Sequence, residues 1–250
     1  MVKRFENKVA LVTGASSGIG SATAVRIASE GGLIFGLGRD EKGLAATAAA
    51  INEKGGSIAT FRCDITVPEA CRDAVAECIS HYGRIDILIN CAGGHIFRAL
   101  HEITEATWLG DIATNLGGCF FLSQAAIPEL IKNNGNIVNI GSLASVEGQP
   151  YSATYCSAKH GIIGLTKSLA LEFINESIRI NAVCPGGTNT PQFEKVGMPD
   201  NGDIDLIMTT AARRGVSEPE DIASVIAFIA SDDAKAIHGA VYMADLGKTI

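Results

Sequence analysis

No run of basic residues interrupts this chain, and its formal net charge is −7. Such a balance offers no electrostatic footprint for a phosphate backbone, so a general nucleic-acid partner is not expected. No stretch approaches the ~18 consecutive apolar residues of a membrane-spanning helix. The seven cysteines are scattered, with no CxxC pair and no His/Cys spacing of a metal site. The expectation is therefore no metal, reduced thiols and a cytoplasmic setting. Linkers, internal repeats and low-complexity tracts are missing too, so nothing marks a second domain. The apolar stretch behind the basic start, Met1–Lys8, is only a few residues long and runs into a glycine turn. It reads as a first strand and not as a signal peptide.

Charged residues make up only 19% of the 250 positions and hydrophobic ones 47%. That suits one large domain whose strands are covered on both faces. Short apolar runs at Lys8–Val12, Leu33–Leu37, Ser57–Arg62, Ile85–Ile89, Asn136–Ile140, Arg179–Val183 and Ala240–Ala244 read as strands. Between them, helical patterns cover Ser21–Glu30, Glu41–Glu53, Pro68–His81, Thr104–Lys132, Tyr155–Phe173 and Pro219–Ser231, with a bend expected at Pro128. Strict alternation of this kind predicts an α/β fold: a Rossmann-type, doubly wound parallel sheet of about seven strands, in one domain over 1–250.

Thr13-Gly14-Ala15-Ser16-Ser17-Gly18-Ile19-Gly20 lies between the first strand and the first helix. Gly14 permits a tight turn, Gly18 lets backbone approach a pyrophosphate, and Gly20 lets helix and strand pack closely. The free N–H groups at the helix start then favour an anion. The spacing is GxxxGxG and not GxGxxG, and a plain strand-to-helix turn is the competing explanation.

Tyr155 and Lys159 stand four residues apart at the start of a helical segment, on one face and one turn apart. A free tyrosine titrates near ~10 and is a poor acid or base at neutral pH. A fixed ammonium beside it favours the phenolate. By itself such a pair is usually an ordinary surface feature.

Taken together, these motifs resemble the short-chain dehydrogenase/reductase family over nearly the whole sequence. Asn90-Cys91-Ala92-Gly93 is similar to the family's Asn-Asn-Ala-Gly element, with Cys91 in place of the second Asn. Ser142 precedes Tyr155 by thirteen residues, and Pro185-Gly186-Gly187-Thr188-Asn189-Thr190 matches the family's Pro-Gly-x-x-x-Thr segment. The resemblance implies an active-site tetrad of Asn115, Ser142, Tyr155 and Lys159. Tyr155 would exchange the proton, Ser142 would orient the substrate oxygen, Lys159 would also hold the nicotinamide ribose, and Asn115 would hold a water. It implies cofactor contacts from Gly14, Ser16, Ser17, Gly18, Ile19, Gly20, Arg39, Asp64, Ile65, Asn90, Ala92, Gly93, Tyr155, Lys159, Pro185, Gly186, Thr188 and Thr190, with Asp64 at the adenine. Two further departures are Ser157-Ala158, reversed from the commoner order, and Asp245-Leu246-Gly247, where Asp-Gly-Gly is usual. The family's pairing of two long helices implies a homotetramer.

The second strand reaches Gly38-Arg39. An NAD-specific site usually carries an acid there; Gly38 offers none, and Arg39 can hold a 2′-phosphate. NADP(H) is therefore expected over NAD(H), although Asp40 follows Arg39 and Ser17 stands where many NADP-linked relatives carry a second basic residue. Residues 186–216 hold five glycines and two prolines and break the alternation. They read as a flexible substrate flap with a short helix near Ile204–Thr210. His95 and Phe97 fall where the family has its pocket wall, against plain loop packing as the alternative. His101, His160 and Cys156 are assigned no chemistry, and Asp86 reads as structural. The expected activity is hydride transfer between nicotinamide and a carbonyl or secondary alcohol. The alternatives are a 3-oxoacyl carrier-protein reductase in particular, or a non-catalytic NADP-binding sensor or scaffold. An enoyl reductase fits the Tyr–Lys spacing poorly, and an epimerase would need a further substrate domain.

Overall fold

The computed structural model describes residues 3–194 and 196–250. Met1 and Val2, and Lys195 within the expected flap, lie outside the described residues. Strands β1 (Val9–Thr13), β2 (Leu33–Gly38), β3 (Ser57–Arg62), β4 (Ile87–Asn90), β5 (Asn136–Ile140), β6 (Arg179–Pro185) and β7 (Val241–Ala244) form one parallel sheet. Its spatial order is β3-β2-β1-β4-β5-β6-β7. Every neighbour is parallel, from Val9 opposite Leu33 to Ala182 opposite Val241. The order reverses between β1 and β4, so the crevice at the carboxyl ends of those strands is where a ligand collects.

Alternation along each strand builds two cores. Ala10, Val12, Ile87, Ile89, Val138 and Val183 face one layer, with Ile27 of α1 (Gly18–Ser29). Leu44 and Ile51 of α2 (Glu41–Asn52) join the same layer. Val9, Leu11, Leu88, Ile137 and Ile180 face the other, with Cys71 and Cys78 of α3 (Pro68–Tyr82). Each fully buried branched side chain contributes about 1.5–3 kcal/mol relative to exposure. Asp86 is buried within this frame: it accepts the Val9 N–H at 2.9 Å, and Arg84 grips both its oxygens at 2.8 and 2.7 Å. That clamp ties the start of β1 to the start of β4, as a structural residue should.

The long helix expected over Thr104–Lys132 is instead two helices. α4 (Glu105–Ile112) ends in a π turn, Ala113–Gly117, and α5 (Gly118–Lys132) follows. The interruption falls at Asn115 and not at Pro128, through which α5 continues. A π turn inserts one residue into the helical ladder, and such turns concentrate at functional sites. The long helix α6 (Ala153–Glu172) places Tyr155 in its first turn. Beyond β6 come two short helices, α7 (Pro191–Glu194) and α8 (Ile204–Met208), and then α9 (Pro219–Ala230), which packs on the first core layer.

Candidate active site

A cleft of about 970 Å³ opens along the carboxyl ends of the strands. Its floor begins at the glycine turn. Gly14 and Gly18 have φ of +68° and +55°, conformations that a side chain adopts only at a cost. A methyl on Gly14 would press on the Ala92 backbone at 3.1 Å, and one on Gly18 on Thr190 Cγ2 at 3.1 Å. A methyl on Gly20 would drive into the Gly14 carbonyl. Helix α1 starts here with Ser17 at its N-cap, no side-chain cap and no acid in its first turn. Unsatisfied N–H groups and an absent acid are what a pyrophosphate requires. A dinucleotide therefore fits this cradle.

The cleft is lined by Gly14, Ser16, Ser17, Gly18, Ile19, Gly20, Arg39, Asp64, Ile65, Ala92, Gly93, Pro185, Gly186, Thr188 and Thr190, all expected cofactor residues. Asn90 is the exception: it is buried, and its amide donates to Ser123 Oγ at 3.1 Å and Asn139 Oδ1 at 2.9 Å. Its side chain braces β4 against β5 and does not line the cleft. Arg39 is exposed at the rim. Asp40 does not pair with it; its carboxylate accepts the Lys42 N–H at 3.1 Å and caps α2. Asp64 is held below the usual carboxylate range by the Thr66 N–H and hydroxyl, with Arg39 and Arg62 adding to the effect.

The four tetrad candidates converge deeper in the same cleft. Lys159 is 5% exposed and donates to the Ile140 carbonyl at 2.8 Å. Its ammonium stands 5.7 Å from the centre of the Tyr155 ring. A methyl on Gly93 would touch both Asn115 Oδ1 and Lys159 Nζ, at 2.8 and 3.5 Å, so these groups meet above Gly93. Asn115 accepts the Gly94 N–H at 3.0 Å and donates to the Gly94 carbonyl at 2.9 Å and the Asp111 carbonyl at 3.1 Å. Ser142 accepts the Ala144 N–H at 3.1 Å, which leaves its hydroxyl proton uncommitted among the described residues.

The chain from residue 8 to residue 200 matches the family model for short chain dehydrogenases. The chain belongs to the short-chain dehydrogenase/reductase family. It is 34% identical to a 3beta-hydroxysteroid dehydrogenase of Mediterraneibacter gnavus, over 98% of this chain and 96% of that one. It is 35% identical to the 3-oxoacyl-acyl-carrier-protein reductase of Thermotoga maritima, over 99% and 100%. Among solved structures, a short chain dehydrogenase from Mycobacterium paratuberculosis bound to NAD superposes with a TM-score of 0.89 at 28% identity, covering 98% of this chain and 99% of that one. As a member of this family, the protein is an oxidoreductase acting on carbonyl or alcohol groups with a nicotinamide cofactor.

Two departures from the family pattern find physical explanations. Cys91 needs no polar side chain, because Thr13 Oγ1 accepts the N–H groups of Cys91 and Ala92 at 2.8 and 2.9 Å. Burial pushes the Cys91 thiol up to about 12, which leaves it inert. Leu246 adopts φ +55°, so the last turn keeps a left-handed shape that glycine would take without strain.

Several contacts had no signal in the sequence. The His95 imidazole stacks on the Tyr155 ring with centroids 4.2 Å apart and planes 18° apart, and Phe97 meets it edge-on at 4.7 Å. Gln192 of α7 donates to the His95 carbonyl at 2.7 Å. Two more bonds hold segment 186–216: the Phe97 N–H to the Val196 carbonyl at 3.2 Å, and the Asp203 N–H to the Tyr151 hydroxyl at 3.0 Å. These partners are far apart in sequence, so no local spacing reveals them. Among the described residues, His160 bonds only its own helix, at the Cys156 carbonyl. Among the described residues, no three His, Cys, Asp or Glu side chains gather as a metal site, and no helix is long and apolar enough to cross a membrane.

Proposed function

We propose that the protein interconverts a ketone with an apolar body and its secondary alcohol, with NADP(H) as cofactor and Tyr155 as the acid/base. The observation that carries this reading is the meeting of Tyr155, Lys159, Ser142 and Asn115 in one cleft with the glycine cradle. A bound nicotinamide supplies or accepts the hydride. Tyr155 gives its phenolic proton to the carbonyl oxygen in reduction and takes it back in oxidation. Ser142 donates its free hydroxyl proton to the same oxygen and orients it. Lys159, fixed by the Ile140 carbonyl, sets a positive charge beside the phenol and stabilises the negative charge that develops there. It is also the group that holds the nicotinamide ribose. The Asn115 side chain is spent on Gly94 and Asp111, so its part is to brace the loop over Lys159; any water it holds falls to its backbone in the π turn.

Two features support the finer choices. Gly38 carries no acid and Arg39, exposed at the rim, makes no hydrogen bond or salt bridge among the described residues, which suits a 2′-phosphate. Met198, Ile204, Ile207, Met208 and Val216 line the flap side of the cleft, which suits an apolar substrate body. The large apolar side chains Trp108, Leu109 and Phe120 stand exposed on α4 and α5, and they support a homotetramer. All seven cysteines are unpaired, which suits a cytoplasmic setting.

The deciding experiment follows NADPH absorbance over a panel of ketones and 3-oxoacyl thioesters, with wild type and Tyr155→Phe. Wild type should turn over at least one ketone. Tyr155→Phe should lose about 10²–10⁴-fold in kcat while binding NADPH as tightly as before. Activity within tenfold of wild type would remove Tyr155 from this role. Cofactor binding with no turnover across the panel would favour a sensor or scaffold.

A further inference from the structure

The His95–Ser152 pair fixes a tautomer, and the tautomer carries a specificity. Ser152 is 1% exposed and its hydroxyl makes two bonds: Oγ lies 3.0 Å from the Pro150 carbonyl and 2.8 Å from His95 Nε2. Because a carbonyl oxygen can only accept, both contacts are hydrogen bonds only when the single hydroxyl proton goes to Pro150. Ser152 Oγ then meets His95 as an acceptor, and Nε2 must carry the ring proton. Nδ1 is left with a bare lone pair. It has no hydrogen-bond partner among the described residues. Nor is it among the polar atoms sealed from solvent without a partner, which are Thr23 Oγ1, Asn90 Oδ1 and Asn136 Oδ1. His95 lines the cleft, and Nδ1 is not sealed from solvent. Burial holds the imidazole pKa down to about 4, with Lys159 and Arg98 acting the same way against Asp111, so the ring stays neutral at pH 7.

We infer that His95 Nδ1 is a specificity-determining acceptor that reads a hydroxyl on the carbon next to the reacting one, so that α-hydroxyketones and vicinal diols are favoured substrates. The argument rests on the reading of Tyr155 as the acid/base. The imidazole lies face to face with the Tyr155 ring, 4.2 Å away. Both rings line the same cleft, so a carbonyl oxygen on the phenol brings its neighbouring substituent into the pocket that the imidazole shares. A plain ketone would strip water from Nδ1 and return no donor, and an unsatisfied buried acceptor is penalised. A neighbouring hydroxyl restores the bond. A site built to pair a substrate hydroxyl discriminates against the analogue that lacks it.

The test compares kcat/KM for 2-hydroxyacetophenone and for acetophenone, each with NADPH and with NADH. The hydroxyl changes intrinsic reactivity, so the readout is how the ratio of the two changes between variants. His95→Phe keeps a stacking ring and removes both nitrogens; the ratio should fall at least about tenfold, whatever happens to the absolute rates. Ser152→Ala removes the acceptor that pins the proton on Nε2, so the ratio should fall there too. In wild type, ¹⁵N-histidine NMR should show His95 protonated on Nε2 alone between pH 6 and 8, both values spanning roughly the ordinary imidazole range. Unchanged ratios in both variants, or a proton on Nδ1, would overturn the inference and leave the acid/base role of Tyr155 standing. Turnover of neither ketone would overturn the inference together with the reading beneath it.

Discussion

The two halves of the cleft are built by different means. The cradle at the cofactor end is a turn between β1 and α1, made from residues adjacent in sequence, with close approaches of Gly14 to the Ala92 backbone and of Gly20 to the Gly14 carbonyl that only glycine allows. The substrate half is assembled from His95, Tyr155 and the flap, whose parts come from distant stretches and meet through single bonds such as Gln192 to the His95 carbonyl. The first half leaves no room for a side chain at Gly14 or Gly20. The second holds Ile204, Met208 and Val216 at 55%, 58% and 48% exposure. One half is therefore set by spacing along the chain, and the other by contacts made between distant stretches.

The most severe way to break this contrast is Gly20→Ala. The added methyl meets a backbone carbonyl, which cannot rotate away, so an overpacking cost of about 1–3 kcal/mol or more is expected. NADPH affinity should fall by about two orders of magnitude in a fluorescence titration, at 1.4 kcal/mol per tenfold, with a lower Tm. A variant that binds normally would show the cradle to be softer than its geometry implies.

Arg39→Ala should act within the cofactor half and on one cofactor only. The KM for NADPH is expected to rise about tenfold, and that for NADH by less than about twofold, since a charge-assisted bond is lost only with the phosphate. Gly38→Asp should reverse the preference, although its Cβ must fit 3.3 Å from Ser16 Oγ. Equal changes for both cofactors would mean that the 2′-phosphate is read elsewhere.

Gln192→Ala addresses the substrate half alone. Losing its bond to His95 should loosen the flap, raising the ketone KM by about threefold to tenfold, the worth of one neutral hydrogen bond, while the Kd for NADPH stays put. Hydrogen exchange over residues 196–212 should quicken in the same variant. A matching loss of NADPH affinity would mean that the halves are coupled and not separable.

The mildest test is pH-dependent stability. His95 has a folded pKa of about 4 against 6.5 in the unfolded chain. Between those values the unfolded state binds a proton that the folded state refuses, so stability rises with pH across this window. It is lost as pH falls from 6.5 towards 4, by at most about 3 kcal/mol. The Tm of wild type should drop more than that of His95→Phe between pH 7 and pH 4.5, as a flatter profile for the variant would show. Parallel profiles would mean that His95 titrates normally and is less sheltered than its stack on Tyr155 suggests.

Much of the fold was legible because its signals are local. Strand–helix alternation and the run from Thr13 to Gly20 depend on neighbours in sequence, and the seven strands fall within a few residues of their expected places. The break at Asn115 was not legible, because Thr104–Lys132 has an unbroken helical pattern apart from Pro128. What opens the π turn there is tertiary: the Asn115 amide is claimed by the Gly94 backbone on another element. The inward turn of Asn90 was hidden for the same reason, since its partners Ser123 and Asn139 lie 33 and 49 residues away.

The sequence by itself determined the parallel sheet, the anion-binding turn, the lack of an acid after β2 and the pairing of Tyr155 with Lys159 on one helical face. Each is a matter of residue type and short spacing, which backbone sterics and helix periodicity convert directly into geometry. Only the tertiary structure decided where the Lys159 ammonium is anchored, which way Asn90 points, and that His95 lies on the Tyr155 ring with Nε2 facing Ser152. Those outcomes depend on which groups meet after the chain has closed.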